Sequence, residues 1–117
     1  MSHVVPDLIQ KVLKGQDPLH ILGSGDQVRC YTYGGDLARG IVTCMMHPEA
    51  VNEDFNISTA ESTTVLELAQ LIWRKIKGPD APFAVVSDDP FEHDVQRRVP
   101  SVEKARRMLG VECTTGL

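Results

Sequence analysis

The chain has 117 residues, 42% of them hydrophobic and 24% charged, with a formal net charge of −4. That length supports one modest core and one domain spanning 1–117, the composition is ordinary for a globular protein, and no apolar run approaches the roughly 18 residues that a membrane span needs. The acidic balance argues against general nucleic-acid binding, which requires a surplus of Lys and Arg to meet phosphates. The opening Met1-Ser2-His3-Val4-Val5-Pro6 has neither the basic nor the apolar region of a signal or transit peptide, so the expected compartment is the cytoplasm.

Pro6 precedes the helical apolar spacing of Leu8, Ile9, Val12 and Leu13, and Gly15 stands where a helix would stop, so a helix is predicted over 6–14. Leu19 to Leu22 reads as a strand, Gly23-Ser24-Gly25-Asp26 as a turn, and Val28 to Tyr33 as a second strand. Asp36 follows Gly34-Gly35 and precedes Leu37, Ile41, Val42 and Met45, which predicts an N-cap and a helix over 36–46, closed by Pro48. Phe55-Asn56-Ile57-Ser58 is a further strand candidate. Thr64 and Glu67 have the spacing of a capping box, and Val65, Leu68, Ala69, Ile72, Trp73 and Ile76 then form an apolar stripe that ends at Gly78-Pro79. A strand over 83–86, a loop over 87–100, and a helix capped by Ser101 and stopped by Gly110 complete a mixed α/β reading, an α+β lobe with about four helices and four short strands.

Chemistry-bearing patterns are sparse. His3, His20, His47 and His93 lack the spacing that sets two metal ligands on one helical face, and Glu92-His93-Asp94 reads as a surface loop. Cys30, Cys44 and Cys113 are odd in number and widely spaced, as expected of buried or idle thiols rather than a disulfide framework or a zinc site. No serine or cysteine sits in a nucleophile motif. Gly23-Ser24-Gly25 lacks the third glycine of a dinucleotide fingerprint and leads into a strand, whereas that fingerprint opens a helix. Arg97, Arg98, Lys104, Arg106 and Arg107 crowd the C-terminal part, which suits a solvated helix whose basic end complements its dipole. Arg29, a guanidinium on a strand beside a glycine turn, is suited to bidentate capture of a phosphate.

The order of motifs resembles the extended short-chain dehydrogenases/reductases, the NAD-dependent epimerase/dehydratase family. Val5-Pro6-Asp7-Leu8-Ile9, Pro18 to Gly25, Val28-Arg29, Tyr31-Thr32-Tyr33 and Asp36-Leu37-Ala38 follow its signatures in order, as do Phe55-Asn56-Ile57, Ser62 to Leu68, Arg98-Val99-Pro100, Lys104-Ala105 and Leu109-Gly110. The resemblance implies the smaller, C-terminal lobe that closes over a nucleotide-sugar of UDP or dTDP type. Arg29 then matches the arginine on the substrate's diphosphate, Asn56 a strand asparagine near the substrate, and Leu22 a position lining the nucleotide pocket. The stretch in which many members carry a second phosphate-binding arginine, Asp88 to Asp94 here, contains none; Arg97 or Arg98 would substitute if the loop folds back.

The family's NAD(P) loop and Tyr-x-x-x-Lys pair are not matched, since Tyr31 is followed four places on by Gly35 and Tyr33 by Leu37. The resemblance therefore implies a truncated protein with no cofactor of its own and silent in hydride transfer by itself, whether as a piece of a longer protein, a gene fragment or one part of a split enzyme with a separate Rossmann partner; a folded fragment without ligand is an alternative. Apolar surface that would normally face that domain makes self-association a competing expectation, through Trp73 and Ile76 or through Met45 and Met46.

Overall fold

The computed structural model describes residues 4–88 and 96–117, which fall into two compact units, Met1–Val28 with Thr63–Arg97 and Arg29–Ser62 with Arg98–Leu117. Among the described residues no helix is long and apolar enough to cross a membrane.

The first unit is organised by two amphipathic helices and a parallel strand pair. Helix α1 covers Val4–Leu13 and buries Leu8 and Val12 on one side. Strand β1 follows at Leu19–Leu22 and alternates buried Leu19 and Ile21 with half-buried His20 and Leu22. Lys11 ties the two elements together by donating from Nζ to the His20 carbonyl at 3.1 Å. The turn after β1 needs glycine at position 25, where φ is +86° and an added Cβ would lie 2.8 Å from Ile21 Cδ1 and 3.1 Å from Leu66 Cβ. The closeness matters for the fold, because the Gly25 and Gln27 carbonyls accept the first amides of the helix that starts at Val65, from Leu66 and Val65, each at 3.0 Å.

The chain leaves this unit through strand β2, Val28–Arg29, and returns through strand β3, Thr63–Thr64, into helix α3, Val65–Lys77. The helix between them, α2 at Gly34–Met46, belongs to the second unit. Helix α3 starts as its sequence dictates: Thr64 Oγ1 accepts from the Glu67 amide at 3.1 Å while Glu67 Oε1 accepts from the Thr64 amide at 3.4 Å, a closed capping box. Its inner face buries Leu68, Ala69, Ile72 and Trp73, and it packs on α1. Strand β4, Val85–Asp88, pairs parallel to β1 with Leu19 opposite Val85 and Leu22 opposite Asp88. The strand expected at 83–86 is thus displaced by two residues, because Phe83 stands edge-on to Trp73 at 5.8 Å and the ladder begins with the Leu19 amide on the Ala84 carbonyl. It also occupies the first part of the expected loop; residues 89–95, His93 among them, lie outside the described residues.

In the second unit, helix α2 spans Gly34–Met46, beginning two residues before the expected start. Asp36 is not its N-cap. Tyr33 holds that position, its carbonyl accepting from the Leu37 amide at 3.1 Å, and Asp36 lies inside the first turn with its carboxylate turned inward. There Asp36 is 2% exposed, accepts the Thr115 amide at 2.9 Å and pairs with Arg39. The strand expected at 55–58 is an extended segment outside any regular ladder: Thr32 Oγ1 and Ser58 Oγ are 3.1 Å apart, the Thr59 amide donates to Thr32 Oγ1, and Thr59 forms one parallel bridge with Cys113. Gly40 faces this segment so closely that a Cβ would meet Ile57 Cγ2 at 2.7 Å and Val111 Cγ1 at 3.2 Å.

Helix α4, Glu103–Leu109, buries Ala105 and Leu109 and ends at Gly110 with φ +68°. Ser101 does not cap it. Val102 holds the N-cap without a side-chain bond, and the Ser101 carbonyl accepts Asn56 Nδ2 at 3.2 Å. Lys104 fastens α4 to the segment that runs from Glu53 to Phe55, with Nζ 2.7 Å from Glu53 Oε2 and 5.1 Å from the centre of the Phe55 ring.

Two outcomes are expected. Gly40→Ala forces Ile57 and Val111 apart, an overpacking cost of about 1–3 kcal/mol only partly offset by the better helix propensity of alanine, and lowers the midpoint of thermal unfolding; an unchanged or raised midpoint would show that α2 has room against its neighbours. For Asp36, the Thr115 amide above all holds the carboxyl below its ordinary value of 3.8, more than burial raises it. A group depressed in the folded state contributes stability that is present above its unfolded value and disappears as pH falls through the lower folded value. Asp36→Asn should therefore destabilise the protein at pH 7 and flatten the loss of stability on acidification below about pH 4, read from urea midpoints across pH.

Candidate functional site

Arg29 and Asn56, the two polar residues singled out by sequence, lie in the second unit on segments that the Thr32–Ser58 and Thr32–Thr59 bonds hold side by side. Arg29 is half-buried at the end of β2. Two residues beyond it, the Tyr31 hydroxyl is buried without a hydrogen-bond partner among the described residues. Burial pushes the Tyr31 phenol up from its ordinary 10.0, and the positive charge of Arg29 opposes that shift. A guanidinium and a protonated phenol are both donors, a combination suited to phosphate oxygens. The sequence marks Tyr31 as a strand residue within a family signature and without the lysine of a Tyr-x-x-x-Lys pair, not as a site residue; its buried hydroxyl depends on tertiary packing.

Asn56 is exposed, with its amide nitrogen engaged by the Ser101 carbonyl. Its carboxamide oxygen retains acceptor capacity. Leu22 belongs to the first unit, where it ends β1 half-buried, paired with Asp88, and its carbonyl accepts Gln27 Nε2 at 2.9 Å. Also in that unit, the Val28 amide donates to the Gln96 carbonyl at 2.7 Å and Val28 bridges Arg97 in parallel.

Neither glycine stretch builds a pyrophosphate cradle. Gly23-Ser24-Gly25 leads into β2 and gives its Gly25 carbonyl to α3, while Gly34-Gly35 opens α2 with the buried Asp36 carboxylate in the same first turn, where it repels an anion. Trp73 is core, 3% exposed. His20 Nδ1 lies 3.1 Å from Asp88 Oδ1 on an exposed edge, His47 Nδ1 accepts from the Glu49 amide at 3.3 Å, and no group of three metal-ligating residues forms among the described residues. The three cysteines are free thiols, with burial raising the pKa of Cys113 and the Asp36 carboxylate adding to the shift. A cleft of about 190 Å³ in the second unit, lined by Asp36, Arg39, Gly40, Thr43 and Leu109 to Glu112, contains none of the three sequence-derived residues and is smaller than the roughly 300–1,000 Å³ usual for ligand pockets.

Residues 1–58 match the model of the NAD dependent epimerase/dehydratase family. The chain is 31% identical over 111 residues to UDP-glucuronic acid decarboxylase 1 of Xenopus tropicalis, across 95% of this chain and 25% of that protein. In structure it is similar to an epimerase of Methanothermobacter thermautotrophicus, with a TM-score of 0.88 and 28% identity over 99% of this chain and 34% of the other. It is also similar to the UDP-glucose 4-epimerase of Thermotoga maritima, solved with UDP-glucose, with a TM-score of 0.80 and 32% identity over 98% of this chain and 35% of the other. The likeness thus runs through both units and nearly every described element, and the chain spans about a quarter to a third of the length of the proteins it matches. By motif order, sequence identity and fold, this chain belongs to the NAD-dependent epimerase/dehydratase family.

Proposed function

We propose that residues 1–117 act as the substrate-binding lobe of a nucleotide-sugar epimerase, dehydratase or decarboxylase, taking the diphosphate of a UDP- or dTDP-sugar and performing no hydride chemistry by themselves. The observation that carries the reading is Arg29, placed on β2 of a chain that matches the family throughout, with its charge reaching the buried Tyr31 hydroxyl. In this reading Arg29 holds the diphosphate, Asn56 contacts the substrate and Leu22 lines the nucleotide pocket. NAD(P) would be supplied with the rest of the family fold, as a separate Rossmann partner or a further part of the same protein.

Support for the substrate class comes from the relatives, several of which are described as acting on UDP-sugars or were solved with one. A second reading, a self-associating module, draws on Met45 and Met46, each 79% exposed on α2; α3 gives it no support, since Trp73 is core.

Calorimetric titration of the full chain with UDP, UDP-sugars and dTDP-sugars distinguishes the two. Saturable binding is expected, weakened at least tenfold by Arg29→Ala, as befits loss of a charge-assisted contact worth about 1.5–3 kcal/mol, and less by Asn56→Ala. Absence of binding at millimolar ligand, or binding indifferent to Arg29, would sink the substrate-lobe reading.

A further inference from the structure

The two-stranded sheet of the first unit has one closed edge and one open edge. Its bonds run from the Leu19 amide to the Ala84 carbonyl and from the Gly23 amide to the Asp88 carbonyl, in the register that sets Leu19 opposite Val85 and Leu22 opposite Asp88. In the evenly spaced, slanted pattern of a parallel ladder, Leu19 and Ile21 of β1 and Val86 and Asp88 of β4 direct their backbone groups at each other. His20 and Leu22 then direct theirs away from the sheet on one side, and Val85 and Ser87 on the other. Side chains close the β1 side. The His20 amide donates to Gln16 Oε1 at 2.9 Å, the His20 carbonyl accepts Lys11 Nζ at 3.1 Å, and the Leu22 carbonyl accepts Gln27 Nε2 at 2.9 Å. On the β4 side, the amides and carbonyls of Val85 and Ser87 have no partner among the described residues. Val85-Val86-Ser87 also carries neither charge nor proline, the usual means of blunting an edge.

We infer that the outer edge of β4 pairs with the same edge of a second copy of this chain, antiparallel about a two-fold axis at Val86. The outward backbone groups set that register. Val85 of one copy faces Ser87 of its partner, each such pair exchanges both N–H···O bonds, and Val86 meets the partner's Val86 in the close, non-hydrogen-bonded position between them. Val86 is apolar and 39% exposed in the single chain, as a self-contact requires. Asp88 falls opposite Ala84 of the partner, and its carboxylate is already 3.1 Å from His20 Nδ1 of its own chain, so no charge opposes a like charge. Closure selects a second copy over an unrelated strand. The joined sheet has the order β1-β4-β4-β1, and both of its outer edges are the β1 edges that Gln16, Lys11 and Gln27 cap, so growth stops at two copies. An unrelated strand would leave a new edge open. The inference rests neither on the substrate-lobe reading nor on the exposed methionines of α2, which lie in the other unit.

The test is sedimentation of the full chain at about 0.01–1 mM, the range of a small, transient contact, with amide hydrogen exchange read at both ends of that range. A monomer–dimer equilibrium is expected. The Val85 and Ser87 amides gain protection as the dimer fills, whereas those of Val86 and Asp88, held by β1, are protected throughout. Ser87→Pro removes an outward N–H and no ladder bond, and weakens association at least tenfold. Val86→Lys sets like charges across the axis and does the same with the backbone intact, so it decides the matter if the proline variant fails to fold. Met45→Asp leaves association unchanged. A monomer over the whole range, a dimer indifferent to Val86→Lys or abolished by Met45→Asp, or growth beyond the dimer overturns the inference.

Discussion

A buried carboxylate fixes the second unit. Ionised side chains leave water only when donors replace it, and Asp36 has them in Thr115 of the tail, its amide above all, and in the Arg39 guanidinium one turn along its own helix. These donors outweigh burial, which is why its pKa moves down rather than up. Everything on that side of α2 follows from the arrangement. The tail must return past α4 to deliver the Thr115 amide, Cys113 is carried against Thr59 on the way, and Gly40, one turn beyond Asp36, lets Ile57 and Val111 come within touching distance of the helix backbone. With the inward face given to a carboxylate, a glycine and a threonine, the large apolar residues of α2 have only the outward face to occupy. The exposed stripe is thus the counterpart of the buried charge.

The first unit follows ordinary layer logic. Leu8 and Val12 of α1, Leu19 and Ile21 of β1, and Leu68, Ala69, Ile72 and Trp73 of α3 form one apolar cluster, with the β1–β4 ladder fixing strand register and the Gly25 and Gln27 carbonyls fixing where α3 begins. Leu22 is placed by the same constraints, held on one side by the register with Asp88 and on the other by the Gln27 amide. A residue so positioned can present a rigid apolar wall, which is the role the family resemblance assigns to it.

Legibility in the sequence tracked how local each interaction is. Helix α3 could be read from start to finish because its capping box and stripe are all short-range, and Gly110 was equally plain as a left-handed stop. The start of α2 was not. Gly34-Gly35 has the composition of a turn and Asp36 that of a cap, and only the remote Thr115 amide explains why the carboxylate turns inward. Ser101 has the composition of a cap too, but its carbonyl is bonded to Asn56, 45 residues away in sequence. The 55–58 segment is extended as its residues favour, yet side-chain hydroxyls of Thr32 and Ser58 take the place of a ladder. Among candidate site residues, Arg29 is singled out by type and context alone, whereas Tyr31 acquires its interest from a buried hydroxyl that no local pattern announces.

The direction of the Tyr31 shift bears on what this site can do. A tyrosine that serves as a general base must have its pKa lowered toward neutrality, commonly by an adjacent cation. Arg29 acts in that sense here, but desolvation is the larger effect and the phenol ends above its ordinary value. Tyr31 therefore stays protonated at neutral pH and can donate a hydrogen bond, not accept a proton. Arg29 likewise donates and never gives up its charge. A pair of fixed donors can hold an anion without altering it, which is the property that the proposed binding of a diphosphate calls on.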